Sequence, residues 1–301
     1  MPKPKIMDKI KIALISRYLF KNWWEALLKY VLNTLNLYQG HITLKCINGD
    51  SIDVKPWIFG RILHNYYLGY IRNIKCVNGE LIINDLVVTI RKDKYVHIGS
   101  VKFVKDHAMI YETFIKQVYS IVDVNGKIVV DIGAYVGDTP IYFTLRGANK
   151  VIAVEPNPIA YQEMLKNIKL NNLEDKIIPV NAGLSNLRGK ICVRDYDVDK
   201  AASTFYQSQD DKNCVAYVDA LTLSDITERY GVLNGVLKMD CEGCEYVLLT
   251  TPCQVLSRFT EIIIECHGDP NPLVNHLKNC GFRVSVISLR DLRTLLLYGY
   301  I

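Results

Sequence analysis

Val129-Val130-Asp131-Ile132-Gly133-Ala134-Tyr135-Val136-Gly137-Asp138-Thr139 is the stretch that decides the fold. A continuous apolar run ends in a glycine-bearing turn and then a helix start, as a buried parallel strand feeding a helix should read. Gly133 lets the chain turn tightly, and Gly137 lets a ligand approach the backbone. The spacing is G-x-x-x-G and not the G-x-G-x-x-G of a dinucleotide-binding turn, so a pyrophosphate cradle is disfavoured. Asp131 at the strand end would repel a pyrophosphate and welcome a cationic ligand. The competing reading is an ordinary strand–helix turn with no ligand.

The residues that follow favour the binding reading. Lys150–Val154 is a second strand that ends at Glu155, just before Pro156. An acidic residue there can hold ribose hydroxyls, and open α/β sheets bind ligands at the carboxyl ends of their strands. Asn157-Pro158 supplies a cap and a first-turn proline for a helix reaching Asn171. Further strands are expected at Lys176–Val180, Val236–Met239 and Glu261–Glu265, with a helix over Pro270–Cys280. Phe282–Ile287 and Thr294–Tyr300 form a closing pair. This alternation predicts a doubly wound α/β sheet. Between Ala182 and Asp219 the regularity fades, and the polar stretches Asp195–Lys200 and Gln207–Asn213 read as an elaborated connection.

A third signal is Lys238-Met239-Asp240-Cys241-Glu242-Gly243-Cys244-Glu245. Period-two geometry places Lys238 and Asp240 on one strand face. Glu242 and Gly243 fall in the turn, and Glu245 falls in the first turn of the next helix, where it can simply be a cap.

Together, Asp131–Thr139, Val154-Glu155-Pro156-Asn157, Lys238-Met239-Asp240-x-Glu242-Gly243-x-Glu245 and Glu265-Cys266-His267 resemble the FkbM-type methyltransferases, over roughly residues 110 to 290. The resemblance implies a class I methyltransferase (Rossmann-like) fold, S-adenosylmethionine as cofactor and a hydroxyl acceptor on a sugar, lipid or secondary metabolite. It implies that Asp131, Gly133, Ala134, Tyr135, Gly137, Asp138 and Thr139 shape the methionine and sulfonium pocket. Glu155 and Pro156 would take the ribose, with Asn181 and Ala182 near the adenine and Asp240 touching both substrates. Asp240, Glu242 and His267 are the candidate general bases, in that order, since a hydroxyl acceptor benefits from a base at hydrogen-bond distance. Lys238 would orient Asp240 or stabilise developing negative charge.

The rest of the chain sets limits. The 301 residues are 50% apolar and 22% charged, values of a folded globular chain that exclude extended disorder. A net charge of +5 permits an anionic partner without indicating a dedicated nucleic-acid binder. Residues 1–107 are expected to be an accessory, acceptor-binding region with one helix from Asp8 to Leu37 and short β-runs split by Asn48-Gly49 and Asn78-Gly79. Residues 108–301 are expected to be the methyltransferase domain, with a linking helix near His107–Tyr119. Lys3, Lys5, Lys9, Lys11, Arg17 and Lys21 beside Trp23 and Trp24 allow residues 3–31 to rest on an anionic membrane. No long apolar run follows the basic start, so a cytoplasmic setting is expected.

Nine scattered cysteines read as reduced thiols. No metal is expected, although Cys241, Cys244, Cys266 and His267 have the chemistry of a zinc set. The rivals to O-methylation are an RNA methyltransferase and a non-catalytic S-adenosylmethionine-binding protein. No Asn/Asp-Pro-Pro-aromatic tetrapeptide of the amino-group enzymes is present.

Overall fold

The computed structural model describes residues 6–90, 95–194, 214–288 and 295–301. It divides into two compact units, Met1–Gln117 and Val118–Ile301, ten residues beyond the boundary expected at 107/108.

The first unit begins with α1 (Ile6–Leu19) and α2 (Trp23–Thr34), where one continuous helix is expected from periodicity. The break has a cause in the tertiary structure. Phe20 forms a backbone bridge with Cys46. The Asn22 carboxamide donates to the Thr43 carbonyl at 2.8 Å and accepts from Lys45 N at 2.9 Å. The chain therefore leaves the helix to tie down β1 (Ile42–Lys45), which pairs antiparallel with β2 (Ser51–Val54). Next comes α3 (Pro56–Tyr67), a helix hidden among β-type runs. Pro56 starts it, and Ile58, Phe59, Ile62 and Leu63 bury one face at helical spacing. Strands β3 (Ile74–Val77), β4 (Glu80–Ile83), β5 (Leu86–Ile90), β6 (Val96–Ile98) and β7 (Val101–Phe103) form an antiparallel meander. Its first hairpin turns on Asn78 (φ 53°) and Gly79 (φ 75°), the left-handed pair that the dipeptide predicts. The expected linking helix is shorter than its pattern: α4 (Ala108–Tyr111) passes into a π-turn over Glu112–Lys116 and ends at Gln117.

The second unit carries the alternating elements. They are β8 (Ile128–Ile132), α5 (Asp138–Leu145), β9 (Lys150–Val154), α6 (Pro158–Leu170) and β10 (Ile177–Val180), then β11 (Ala182–Leu184), β12 (Gly189–Val193) and β13 (Ala216–Leu221). After α7 (Leu223–Arg229) and β14 (Gly235–Met239), a 3-10 helix spans Cys244–Thr250. The unit ends with α8 (Cys253–Leu256), β15 (Phe259–Cys266), α9 (Asn271–Asn279), β16 (Arg283–Ser288) and β17 (Leu295–Tyr300).

Seven strands form one sheet in the order β10-β9-β8-β14-β15-β17-β16. The first five run parallel, and β17 and β16 close the sheet antiparallel. Counted within the sheet this is 3-2-1-4-5-7-6, with the order reversing between β8 and β14. In sheets of this kind ligands bind at the strands' carboxyl ends beside the reversal point. The central strands are buried on both sides, which explains their unbroken apolar runs. The stretch whose regularity fades contains a second small sheet, β11-β13-β12. Asp195–Lys200 and Gln207–Asn213 lie outside the described residues, as do Lys3, Lys5 and the side chain of Lys9.

The cysteines correct the sequence reading. Cys46–Cys76, Cys192–Cys214, Cys241–Cys244 and Cys253–Cys280 are disulfides, and only Cys266 is free. Three of the four pairs are 22 to 30 residues apart in sequence, yet strand and helix packing brings them to Cα separations of 5.0–5.7 Å. Such proximity suits a bridge and is invisible in linear spacing, whereas Cys241–Cys244 closes within one turn. With Cys241 and Cys244 bonded to each other, the zinc set loses two thiolate ligands.

Candidate functional site

One half of the site is built on β8, β9 and the turns that follow them. Gly133 has φ 79°, and a Cβ there would stand 1.8 Å from the Asp240 carbonyl oxygen. Its role is to let two backbone loops touch at the switch point. Gly137 has φ 90°, and a Cβ there would press on Met164 of α6, so the glycine also lets the helix pack closely. Between them Tyr135, a non-glycine, sits at φ 48°. Strained backbone of this kind is characteristic of ligand-binding turns. Asn167 of α6 holds the turn by donating to the Val136 carbonyl at 2.8 Å.

Glu155 organises this half. It is buried, and its two oxygens accept backbone N–H groups of Tyr135 at 2.8 Å and Asn157 at 2.7 Å. A carboxylate has lone pairs to spare after two such bonds, so it can still take hydroxyl donors. Burial pushes its pKa up to about 7, against the pull of those N–H groups. Asn157 then caps α6 through Ile159 N and Ala160 N. Asn181 donates to the carbonyls of Glu155 and Pro156 at 2.8 and 3.2 Å, tying the end of β10 to the end of β9, and Ala182 is buried beside it.

Asp131 and Lys238 do other work than the sequence suggests. Asp131 is fully buried, accepts from Thr139 Oγ1 at 2.5 Å and pairs with Lys238 Nζ at 2.9 Å. Lys238 Nζ also donates to the Gly133 carbonyl at 2.8 Å. Burial raises the Asp131 pKa, while its effect on Lys238 is outweighed by Asp131, which holds the ammonium charged. The pair thus braces the Gly133 turn from beneath. Lys238 is directed at Asp131 and the Gly133 carbonyl, and each Asp131 oxygen already faces one protein partner. Ala134, Asp138 and Thr139 are buried in the same turn.

The other half lies at the ends of β14 and β15. Asp240 Oδ2 accepts from the Tyr119 hydroxyl at 2.9 Å. Tyr119 is the residue the sequence reading missed, because nothing local links positions 121 residues apart. Glu245 is fully buried. It accepts from Gly243 N and His267 N, each at 2.8 Å, and meets His267 Nδ1 at 3.3 Å. It therefore clasps the β14 and β15 loops together, which is more than a cap. His267 Nε2 faces Glu242 at 3.4 Å and Asp240 and Glu265 at 4.0 Å. Burial opposes the imidazolium, but the Glu245 hydrogen bond and the charges of Glu242 and Asp240 override it and push the His267 pKa up to about 9. A cationic His267 is no base near neutral pH, which leaves Asp240 and Glu242.

Two turns that carry a ribose-type carboxylate and a strand-end acid, set at the reversal point of a 3-2-1-4-5-7-6 sheet, define a class I methyltransferase domain. Residues 131–284, just over half of the chain, match the Methyltransferase FkbM domain, and the chain belongs to that family. It is also similar, over 61 residues at 46% identity, to the tRNA (guanine(37)-N(1))-methyltransferase Trm5b of Methanocaldococcus jannaschii. Over 64 residues at 39% identity it is similar to protein arginine N-methyltransferase 6 of Danio rerio. These stretches span 20% and 21% of this chain, and 17% and 18% of those relatives. The solved structure of M. capricolum TrmK with S-adenosyl-homocysteine is similar at 13% identity and TM-score 0.40, covering 65% of this chain and 68% of that one.

Proposed function

We propose that the protein transfers a methyl group from S-adenosylmethionine to a hydroxyl oxygen of a small molecule or glycan. Glu155 is the observation that carries the reading: a buried carboxylate at the end of the second strand, fixed by two backbone N–H groups and retaining lone pairs for ribose hydroxyls. The Gly133–Gly137 turn would take the methionine part, and Asn181 and Ala182 would flank the adenine. S-adenosylmethionine supplies the methyl group and a neutral leaving thioether. What the chain supplies is alignment of the acceptor oxygen with that methyl, which contributes much of the rate in such displacements. Asp240, held by Tyr119, is the base that takes the hydroxyl proton, and Glu242 is its neighbour on the exposed side.

The segment after β14 reads Asp240-Cys241-Glu242-Gly243, with no Pro-Pro-aromatic run, and this favours oxygen over amine nitrogen. An RNA ribose hydroxyl fits the same chemistry and is the second reading; the net charge of +5 is compatible with it. Incubation with radiolabelled S-adenosylmethionine and matched panels of polyols, amines and RNA tests the choice. Label on polyols that disappears with Asp240→Asn supports the proposal. Label on amines alone would overturn it.

The four disulfides fit an oxidising compartment or the cytosol of a hyperthermophile better than the cytosol of a mesophile. Among the described residues no helix is long and apolar enough to cross a membrane. On α2, Trp24, Leu28 and Val31 are exposed at helical spacing, which supports contact of this helix with a membrane surface or a second subunit.

A further inference from the structure

We infer that Asp240, Glu242 and His267 form a divalent-cation site at the acceptor side of the proposed methyl-transfer centre. One donor atom from each lies within 4.8 Å of the others, and the three come from two separate loops. Neighbouring ligands about 2.1 Å from one ion stand roughly 3–3.5 Å apart. The Glu242–His267 separation of 3.4 Å already meets this, and the Asp240–His267 separation of 4.0 Å needs a closure of a few tenths of an ångström or somewhat more.

The surroundings of the donors argue for a ligand more strongly than the distances. Two of the three are fixed from behind by residues outside the set. Tyr119 donates to Asp240 Oδ2, so Oδ1 is the oxygen nearest His267. Buried Glu245 meets His267 Nδ1 and takes its backbone N–H, so Nε2 is turned toward Asp240, Glu242 and Glu265. A carboxylate behind a histidine, fixing the ring while its other nitrogen faces further donors, is how proteins orient metal ligands.

Charge points the same way. Asp240, Glu242 and Glu245 face one imidazole. Lys238 is engaged by Asp131 and the Gly133 carbonyl. A dication would displace the proton that His267 otherwise carries and take its place among these carboxylates. Two carboxylate oxygens and one imidazole nitrogen suit a hard cation that tolerates nitrogen, Mn2+ ahead of Mg2+. Three protein ligands would leave open positions for an acceptor hydroxyl; the ion would acidify it and its proton would pass to water, with Asp240 acting as a ligand instead of the base while the ion is bound. This catalytic use rests on the methyl-transfer reading; the binding itself does not.

The test is a titration of Mn2+ into the metal-stripped full chain, followed by the electron-paramagnetic-resonance signal of free Mn2+. S-adenosylhomocysteine binding and thermal melts are measured on the same samples. We expect one Mn2+ per chain, and binding about 10–100-fold weaker in both Glu242→Gln and His267→Gln. Glu242, in the exposed turn, is the variant that leaves the fold least disturbed. S-adenosylhomocysteine affinity should stay within about twofold in Glu242→Gln, because the donor half is separate. No Mn2+ binding by folded wild-type chain, or equal binding by wild type and both variants, would overturn the cation site and leave the methyl-transfer reading standing. Mn2+ binding with the expected losses but no S-adenosylhomocysteine binding would support the site and remove its catalytic use.

Discussion

The proposed donor and acceptor halves of the site are built on opposite plans. In the donor half nearly every polar atom is spent on the protein itself: Asp131 on Thr139 and Lys238, Lys238 on Gly133, and Glu155 on two backbone amides. In the acceptor half side chains face one another, with Asp240, Glu242 and Glu265 around His267 Nε2. Shape therefore governs the first half and charge the second. A ligand common to all members of a reaction class can be met by fixed backbone. A variable acceptor needs side chains that can be exchanged without disturbing the turn.

If this contrast is right, mutations in the donor half should act first on stability. The largest effect is expected for Lys238→Met, which leaves Asp131 buried without its partner and should cost about 3–5 kcal/mol by denaturant unfolding. Asp131→Leu combined with Lys238→Met should recover most of that loss; failure to recover would mean that the pair does more than brace the turn. Gly133→Ala drives a Cβ into the Asp240 carbonyl at φ 79° and should cost about 3 kcal/mol, read as a lower melting temperature.

Glu155→Ala sharpens the comparison, because it sits in the structural half yet should report on ligand. Cofactor affinity is expected to fall by about 1.5–3 kcal/mol, the worth of hydrogen bonds to a charged group. The smallest effect is a pH dependence. Glu155 is pushed up to about 7, above its ordinary carboxyl value, so it is protonated below that pH and loses strength as a ribose acceptor. Cofactor affinity should weaken as pH falls from 7 to 5, by at most about tenfold per unit, and Glu155→Gln should flatten the profile. The same shift makes ionised Glu155 a cost to folding. Its contribution to stability therefore declines as pH rises from 4.5 to 7, opposite in sign to the binding trend.

The same contrast explains what the sequence could show. Gly133, Gly137, Glu155 and the Asn157 cap were legible because strand ends and left-handed turns leave local signatures. Their packing partners were not legible, since Gly133 meets the Asp240 carbonyl and Gly137 meets Met164, both distant in sequence. The Tyr119–Asp240 bond, the Glu245 clasp on His267 and the three long-range disulfides had no local trace. Each joins segments that only the packing of strands and helices brings together, whereas Cys241–Cys244 closes within one turn. Helix α3 was lost for the opposite reason: short apolar runs between turn residues look alike in helices and strands.

Calorimetric titration of S-adenosylmethionine and S-adenosylhomocysteine into the full chain at pH 8, with NAD as control, tests the central claim most directly. The account predicts binding of both methyl-cycle ligands with Kd on the order of micromolar, about −8 kcal/mol, and no heat with NAD. A well-folded protein that binds neither, or that binds NAD instead, would contradict it.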